Sequence, residues 1–189
     1  MLNLFYTTVP ASSYHALVVV DKDGTLYYMT LSKTNTGLLQ LLMVKDFSKH
    51  THIRLNALSS TTLIKDASRI NQTVALVREA MEDPKSMDIS KIKYKIIFGT
   101  SLQRRVWDKL LEIEPGTVTD YFTLAGALKM PTSSRVVGNC VGANRIALFI
   151  PCHRVLTKDR KISGYRYGVE VKRDILQLEL GQEFDKLVN

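Results

Sequence analysis

The chain has 189 residues, 45% of them hydrophobic, a mean hydropathy of −0.04 and a formal charge of +8. That length suits one packed core or two small domains, and no apolar run reaches the roughly 18 to 20 residues that cross a bilayer. Met1 to Pro10 lacks a basic stretch followed by an apolar one, so a soluble protein without a membrane partner is expected, in the nucleus or else the cytoplasm, with Cys140 and Cys152 as reduced thiols.

His15 to Val20 and Thr25 to Leu31 are β-rich and flank the turn sequence Asp21-Lys22-Asp23-Gly24, which predicts a hairpin. Leu38, Leu39, Leu41, Leu42 and Phe47 suggest a short buried helix, and Ile53 to Leu58 another strand. Leu63, Ala67, Ile70, Val74, Val77 and Met81 recur at steps of three and four, the apolar face of a helix of about five turns. Asp83 to Lys93 has a linker's composition, so the domain boundary is placed there, separating residues 1–90 from 91–189. His50 and His52 share a strand face but do not complete a zinc site. No metal or cofactor is expected.

Beyond the boundary, Thr100 or Ser101 can cap a helix bearing Leu102, Val106, Leu110 and Ile113, which Pro115-Gly116 ends. Thr119 to Leu128 reads as a short helix and Lys129-Met130-Pro131 as a break. Ser133 to Val141 is a second short helix behind Thr132 or Ser133, and the pair is a helix-turn-helix candidate. The second helix offers small and apolar residues rather than base-reading polar ones. Its glycines permit close backbone approach, which suits the minor groove, with Arg135 long enough to enter the base stack, although a tightly packed core helix with a surface arginine would read the same way. Between Lys129 and Arg173 lie ten basic residues against two acidic ones, a net +8 that points to a polyanion surface there, though a solvated basic face would look the same.

Within that segment Pro151-Cys152-His153-Arg154-Val155 sets a soft nucleophile beside a potential base. With Gly99-Thr100-Ser101-Leu102-Gln103-Arg104-Arg105-Val106-Trp107, Tyr121, Leu124-Ala125, Pro131, Arg135 to Gly138, Asn144 and Gly164-Tyr165, it resembles the O6-alkylguanine-DNA alkyltransferases from Gly99 to Glu179. The resemblance implies an α/β (α+β) fold: a ribonuclease-H-like N-terminal domain and a mostly helical C-terminal domain with a helix-turn-helix. It implies a monomer that binds double-stranded DNA by the minor groove, flips the damaged base out, and transfers a methyl group from guanine O6 to Cys152. His153 would take the thiol proton through a water, oriented by Glu179, and Tyr121 would protonate the departing guanine. Asn144 would tie the recognition helix to the active-site loop, and Arg135 would fill the vacated stack. Tyr121, Phe122, Met130 and Lys158 are the implied phosphate contacts, and Val155, Tyr165, Arg166 and Tyr167 the guanine pocket, with the Cys152 and Val155 carbonyls accepting from the exocyclic amine.

The chain departs from the family pattern at Arg145, where a proline commonly follows the asparagine, and at Lys158-Asp159-Arg160-Lys161, which replaces a small turn. Arg166 and Tyr167, where some members have small residues, predict a narrow pocket that favours methyl over large adducts. A non-repairing alkylguanine-binding protein, a cysteine hydrolase and a plain DNA-binding module remain the alternatives.

Overall fold

The Asp21-to-Gly24 turn forms because Asp21 Oδ1 accepts from the amides of Asp23 and Thr25, while Gly24 takes a left-handed φ of 78°. It joins β2 (His15–Val20) to β3 (Leu26–Ser32) as the expected antiparallel hairpin. The computed structural model describes residues 1–33, 36–58, 68–128 and 133–187. Within them a further strand, β1 (Leu2–Pro10), pairs antiparallel with β2 and parallel with β4 (Ile53–Ala57), giving the sheet order β3-β2-β1-β4.

Both faces of this sheet are covered, and the period of two in β2 divides its side chains between them. Leu17 and Val19 meet Leu39, Met43 and Phe47 of α1 (Thr36–Phe47). Ala16, Val18 and Val20 join Ile70, Val77 and Met81 of α2 (Ser68–Glu82). The α1 contacts fall at steps of four, one narrow stripe, so Leu38 and Leu41 are left 44% and 65% exposed rather than buried. The long helix forms from Ser68; Leu63 and Ala67 of the expected apolar face lie outside the described residues.

The segment 83–93 contains a short 3-10 turn, Ile89–Lys91, and leads to Tyr94, which bridges back to Leu26 of β3. Side chains on both sides of it share one core: Val18 and Met29 belong with Val106, Trp107, Phe149 and Ile175. After it come α3 (Ser101–Leu110), α4 (Tyr121–Ala127), α5 (Ser134–Gly142) and α6 (Val169–Leu180). The capping box of α3 is complete, with Thr100 accepting from the Gln103 amide and the Gln103 side chain accepting from the Thr100 amide. Ser133 caps α5; Met130 and Thr132 lie outside the described residues. Among the described residues no helix is long and apolar enough to cross a membrane.

Two short ladders aim the C-terminal half. β5 (Thr119–Asp120) pairs in parallel with β6 (Val155–Leu156), fixing the start of α4 beside the segment that follows Cys152. On the other side, the Met29 amide donates to the Arg145 carbonyl, and the Met29 carbonyl accepts from the Ala147 amide, so the edge of the sheet grips the chain leading to Cys152.

Trp107 packs α3 against α5, its indole N–H donating to the Cys140 carbonyl at 2.8 Å. Gly99 lies beneath the indole at φ 87°, and a Cβ there would stand 2.5 Å from the ring. Gly99→Ala should therefore cost about 1–3 kcal/mol through overpacking and backbone strain together, read as a lower urea midpoint with an unchanged m-value.

Candidate active site at Cys152

Cys152 opens a 3-10 turn, Cys152–Arg154, and is 4% exposed. The loop before it is strained: Leu148, fully buried, sits at φ 68°, a region leucine rarely adopts. The surroundings hold this conformation through Asn144. Its Oδ1 accepts from the Ile146 amide at 2.9 Å, which orients the carboxamide, and its Nδ2 points at the carbonyls of Ile146 and Ile150 and at Cys152 Sγ, the last at 3.2 Å. Two hydrogens serve three acceptors, so one of them is shared.

Burial raises the Cys152 thiol above its ordinary value of 9.0, opposed by the Asn144 hydrogen bond, the Lys172 charge and the neighbouring Tyr165 hydroxyl. Lys172 is completely buried on α6, donates to the Val155 carbonyl at 2.6 Å, and is lowered by burial to about 8. The sulfur at rest is thus a thiol, and Asn144, Lys172 and Tyr165 offset part of what burial costs its thiolate.

His153 is the adjacent candidate base. Its ring is fully buried, and Nε2 lies 3.0 Å from Glu179 Oε1. Burial lowers its pKa and Glu179 opposes this, so near neutral pH the imidazole is uncharged. Nε2–H then donates to the carboxylate, leaving Nδ1, which has no partner among the described residues, with the lone pair. Glu179 itself is anchored by Arg154, whose Nε and Nη2 approach both carboxylate oxygens at 2.7–3.2 Å and whose Nη1 donates to the Ile113 carbonyl at 2.6 Å. Burial alone would raise the Glu179 carboxyl; His153 and Arg154 outweigh it and hold the group down at about 2.

A cavity of about 30 Å³ opens on the sulfur, lined by Tyr121, Gly138, Asn144, Tyr165 and Arg166 among others. That is room for a water or two, not for a base. A wide cleft of about 450 Å³ carries Tyr121, Gly138 and Gly164 as well, and adds Arg135 and Ser163. Tyr121 therefore stands at the passage between them, its hydroxyl 3.0 Å from Ser163 Oγ.

A protein of Scheffersomyces stipitis named methylated-DNA--protein-cysteine methyltransferase is 43% identical to this chain over 100% of it and 99% of that protein. The chain belongs to the methylated-DNA--protein-cysteine methyltransferase family. A Debaryomyces hansenii protein of the same name is 40% identical, covering 93% of this chain and 91% of its own. Residues 101–181 match the family model described as 6-O-methylguanine DNA methyltransferase, DNA binding domain. The fold is that of the Mycobacterium tuberculosis O6-methylguanine methyltransferase, at TM-score 0.65 and 23% identity over 95% of this chain and 93% of that one. The M. tuberculosis protein in complex with DNA matches equally well, at TM-score 0.65, 23% identity, and 96% and 94% coverage.

The structure brings together Cys152, His153, Glu179, Asn144, Tyr121, Tyr165 and Arg166, as the family pattern implies. Val155 and Tyr167 stand behind the cavity rather than in its lining: Val155 is fully buried, and the Tyr167 hydroxyl donates to the Asn144 carbonyl at 2.7 Å. The Cys152 and Val155 carbonyls already accept from the Val155 amide and Lys172, leaving each one lone pair. Phe122 is 64% exposed with Lys158 over its ring, but its amide donates to Asp120, so it has no free donor for a phosphate and a charge there comes from Lys158. Arg135 is exposed on α5, and Met130 lies outside the described residues.

The basic segment needs one correction. Arg154 and Lys172 point inward, Arg145 and Arg166 both pair with Asp46, and Lys161 pairs with Asp159, so among the described residues the surface charge toward the cleft rests chiefly on Arg135, Lys158 and Arg160. Sequence reading missed Arg154, Lys172 and Asp46 as site residues. The signal for Lys172 was its place with Leu176 and Glu179 on one stripe of α6, where a solvated charge does not belong.

The Glu179 carboxyl titrates from an ordinary value of 4.5 down to about 2, so its contribution is fully present above 4.5 and is lost as pH falls toward 2. Glu179→Gln leaves Arg154 buried without an anion, at a cost of about 3–5 kcal/mol near neutral pH. Thermal melts across this range should show the gap between the two proteins narrowing as the solution is acidified.

Proposed function

We propose that the chain repairs O6-alkylated guanine in double-stranded DNA by taking the alkyl group irreversibly onto Cys152. The observation that carries this reading is the buried thiol held by Asn144 beside a neutral imidazole whose far nitrogen is tied to Glu179, in a chain of this family. A thiol so buried cannot meet a base stacked in a duplex. The guanine has to leave the helix, at a cost of a few kcal/mol, and enter past Tyr121 from the cleft that carries Arg135. Binding is by the minor groove, with α5 presented to the DNA, Arg135 filling the gap, and Phe122, Met130 and Lys158 along the phosphates.

In the reaction the thiol proton passes to His153 Nδ1, through a water, and Sγ attacks the methyl carbon in line. The Sγ–C bond forms as the C–O6 bond breaks, and the electron pair stays on guanine. Tyr121 donates a proton to the guanine ring and recovers one from the imidazolium, so the net change moves the thiol proton to the base. Glu179 steadies the imidazolium in between. The product is a thioether that water does not cleave, so each molecule acts once, as a monomer and in the nucleus where its substrate lies.

Incubation with a duplex carrying one O6-methylguanine should add one methylene to the intact protein mass, with no gain in Cys152→Ala. Tight binding to that duplex with no mass change in the wild type would instead identify an alkylguanine-binding protein and overturn the proposal.

A further inference from the structure

The carboxylate of Asp46 sits near the C-terminal end of α1, in the half of the chain that supplies no group to the reaction, and its side chain is 7% exposed. It accepts from the Tyr28 hydroxyl at 3.0 Å, from Arg145 Nε at 3.0 Å, and from Arg166 Nη2 at 2.9 and 2.7 Å through its two oxygens. Two guanidiniums on one buried carboxylate are not a surface ion pair, and both lead to the acceptor site.

Arg166 lines the cavity at Cys152. Arg145 follows Asn144 directly, and its Nη1 donates to the Ala143 carbonyl at 2.7 Å and reaches the Asn144 carbonyl at 3.4 Å. The Asn144 carbonyl also accepts from Tyr167, and the Asn144 side chain holds the sulfur. Asp46 therefore grips the cavity wall with one arginine and, with the other, the turn that carries the asparagine.

We propose that Asp46 is a positioning residue that sets the size of the guanine pocket by pinning Arg166 across its wall. The inference rests on the alkyl-transfer reading above. The cavity of about 30 Å³ has to widen to take a guanine, and pinned Arg166 limits that widening to what a methyl adduct needs, leaving no place for a second ring beside the base. Released, its long side chain is free to leave the wall, and a large O6 adduct gains access. Arg145 stands where a proline commonly follows the asparagine, and Arg166 where some members of the family have a small residue.

The test compares single-turnover rates on duplexes bearing O6-methylguanine and O6-benzylguanine for wild type, Asp46→Ala, Arg166→Ala and the double variant. Asp46→Asn, which keeps the shape but not the charge, replaces Asp46→Ala if the latter does not fold. The benzyl-to-methyl rate ratio should rise by about fivefold or more in each single variant, and the double variant should show no further rise, because both substitutions release the same wall. A loss of stability unconnected with the pocket would slow both substrates alike and leave the ratio unchanged. A ratio within about twofold of wild type in the folded Asp46 variant, or effects that multiply in the double variant, would overturn the inference. Methyl transfer by the wild type is the control: its failure would refute the alkyl-transfer reading, whereas its success with an unmoved ratio would refute the Asp46 assignment.

Discussion

The Asn144 carboxamide is the contact on which the rest of the site depends. It follows the C-terminal end of α5, so the helix that carries Arg135 and the sulfur that carries the chemistry are joined through one side chain. Its oxygen takes the Ile146 amide and its nitrogen binds the carbonyls of Ile146 and Ile150, which stabilises a loop whose Leu148 is held in a disfavoured conformation. A polar group this deeply buried is costly unless every donor and acceptor is used. Here they are all used, and the sulfur is one of the partners.

Around that contact the charges are arranged in depth. Glu179 neutralises Arg154 and fixes the tautomer of His153, while Lys172 supplies positive charge near the sulfur with no carboxylate partner among the described residues. Such a buried cation gains most when the sulfur becomes an anion, so the field favours the thiolate without maintaining it at rest. The N-terminal half contributes through backbone and charge rather than chemistry. Met29 pairs with residues 145 and 147, and Asp46 draws in Arg145 and Arg166, so the sheet acts as the rigid support of the acceptor loop.

Most of the local structure was legible because it depends on short-range signals. The Asp21-to-Gly24 hairpin, the Thr100 capping box and the Ser133 cap announce themselves within a few residues. The acceptor pentapeptide and Tyr121, Asn144 and Glu179 were legible through family resemblance, and the structure places them together. What escaped were long-range pairings. β1 was not singled out, because its place in the sheet depends on partners at residues 15–20 and 53–57. Arg154, Lys172, Arg145 and Arg166 look alike in a charge count, and only packing separates the inward cations from those facing a polyanion. Asp46 is separated from Arg166 by 120 positions, beyond the reach of any periodicity.

The resting sulfur is a buried thiol: burial suppresses its acidity, and the Asn144 hydrogen bond offsets part of that suppression. Thiolate absorbance near 240 nm, titrated in a Cys140→Ser background so that one thiol reports, measures this directly. The account predicts no thiolate signal at neutral pH, a midpoint above the ordinary value of 9.0, and a further upward move in Asn144→Ala. A thiolate already formed at pH 7, or a midpoint indifferent to Asn144, would contradict it.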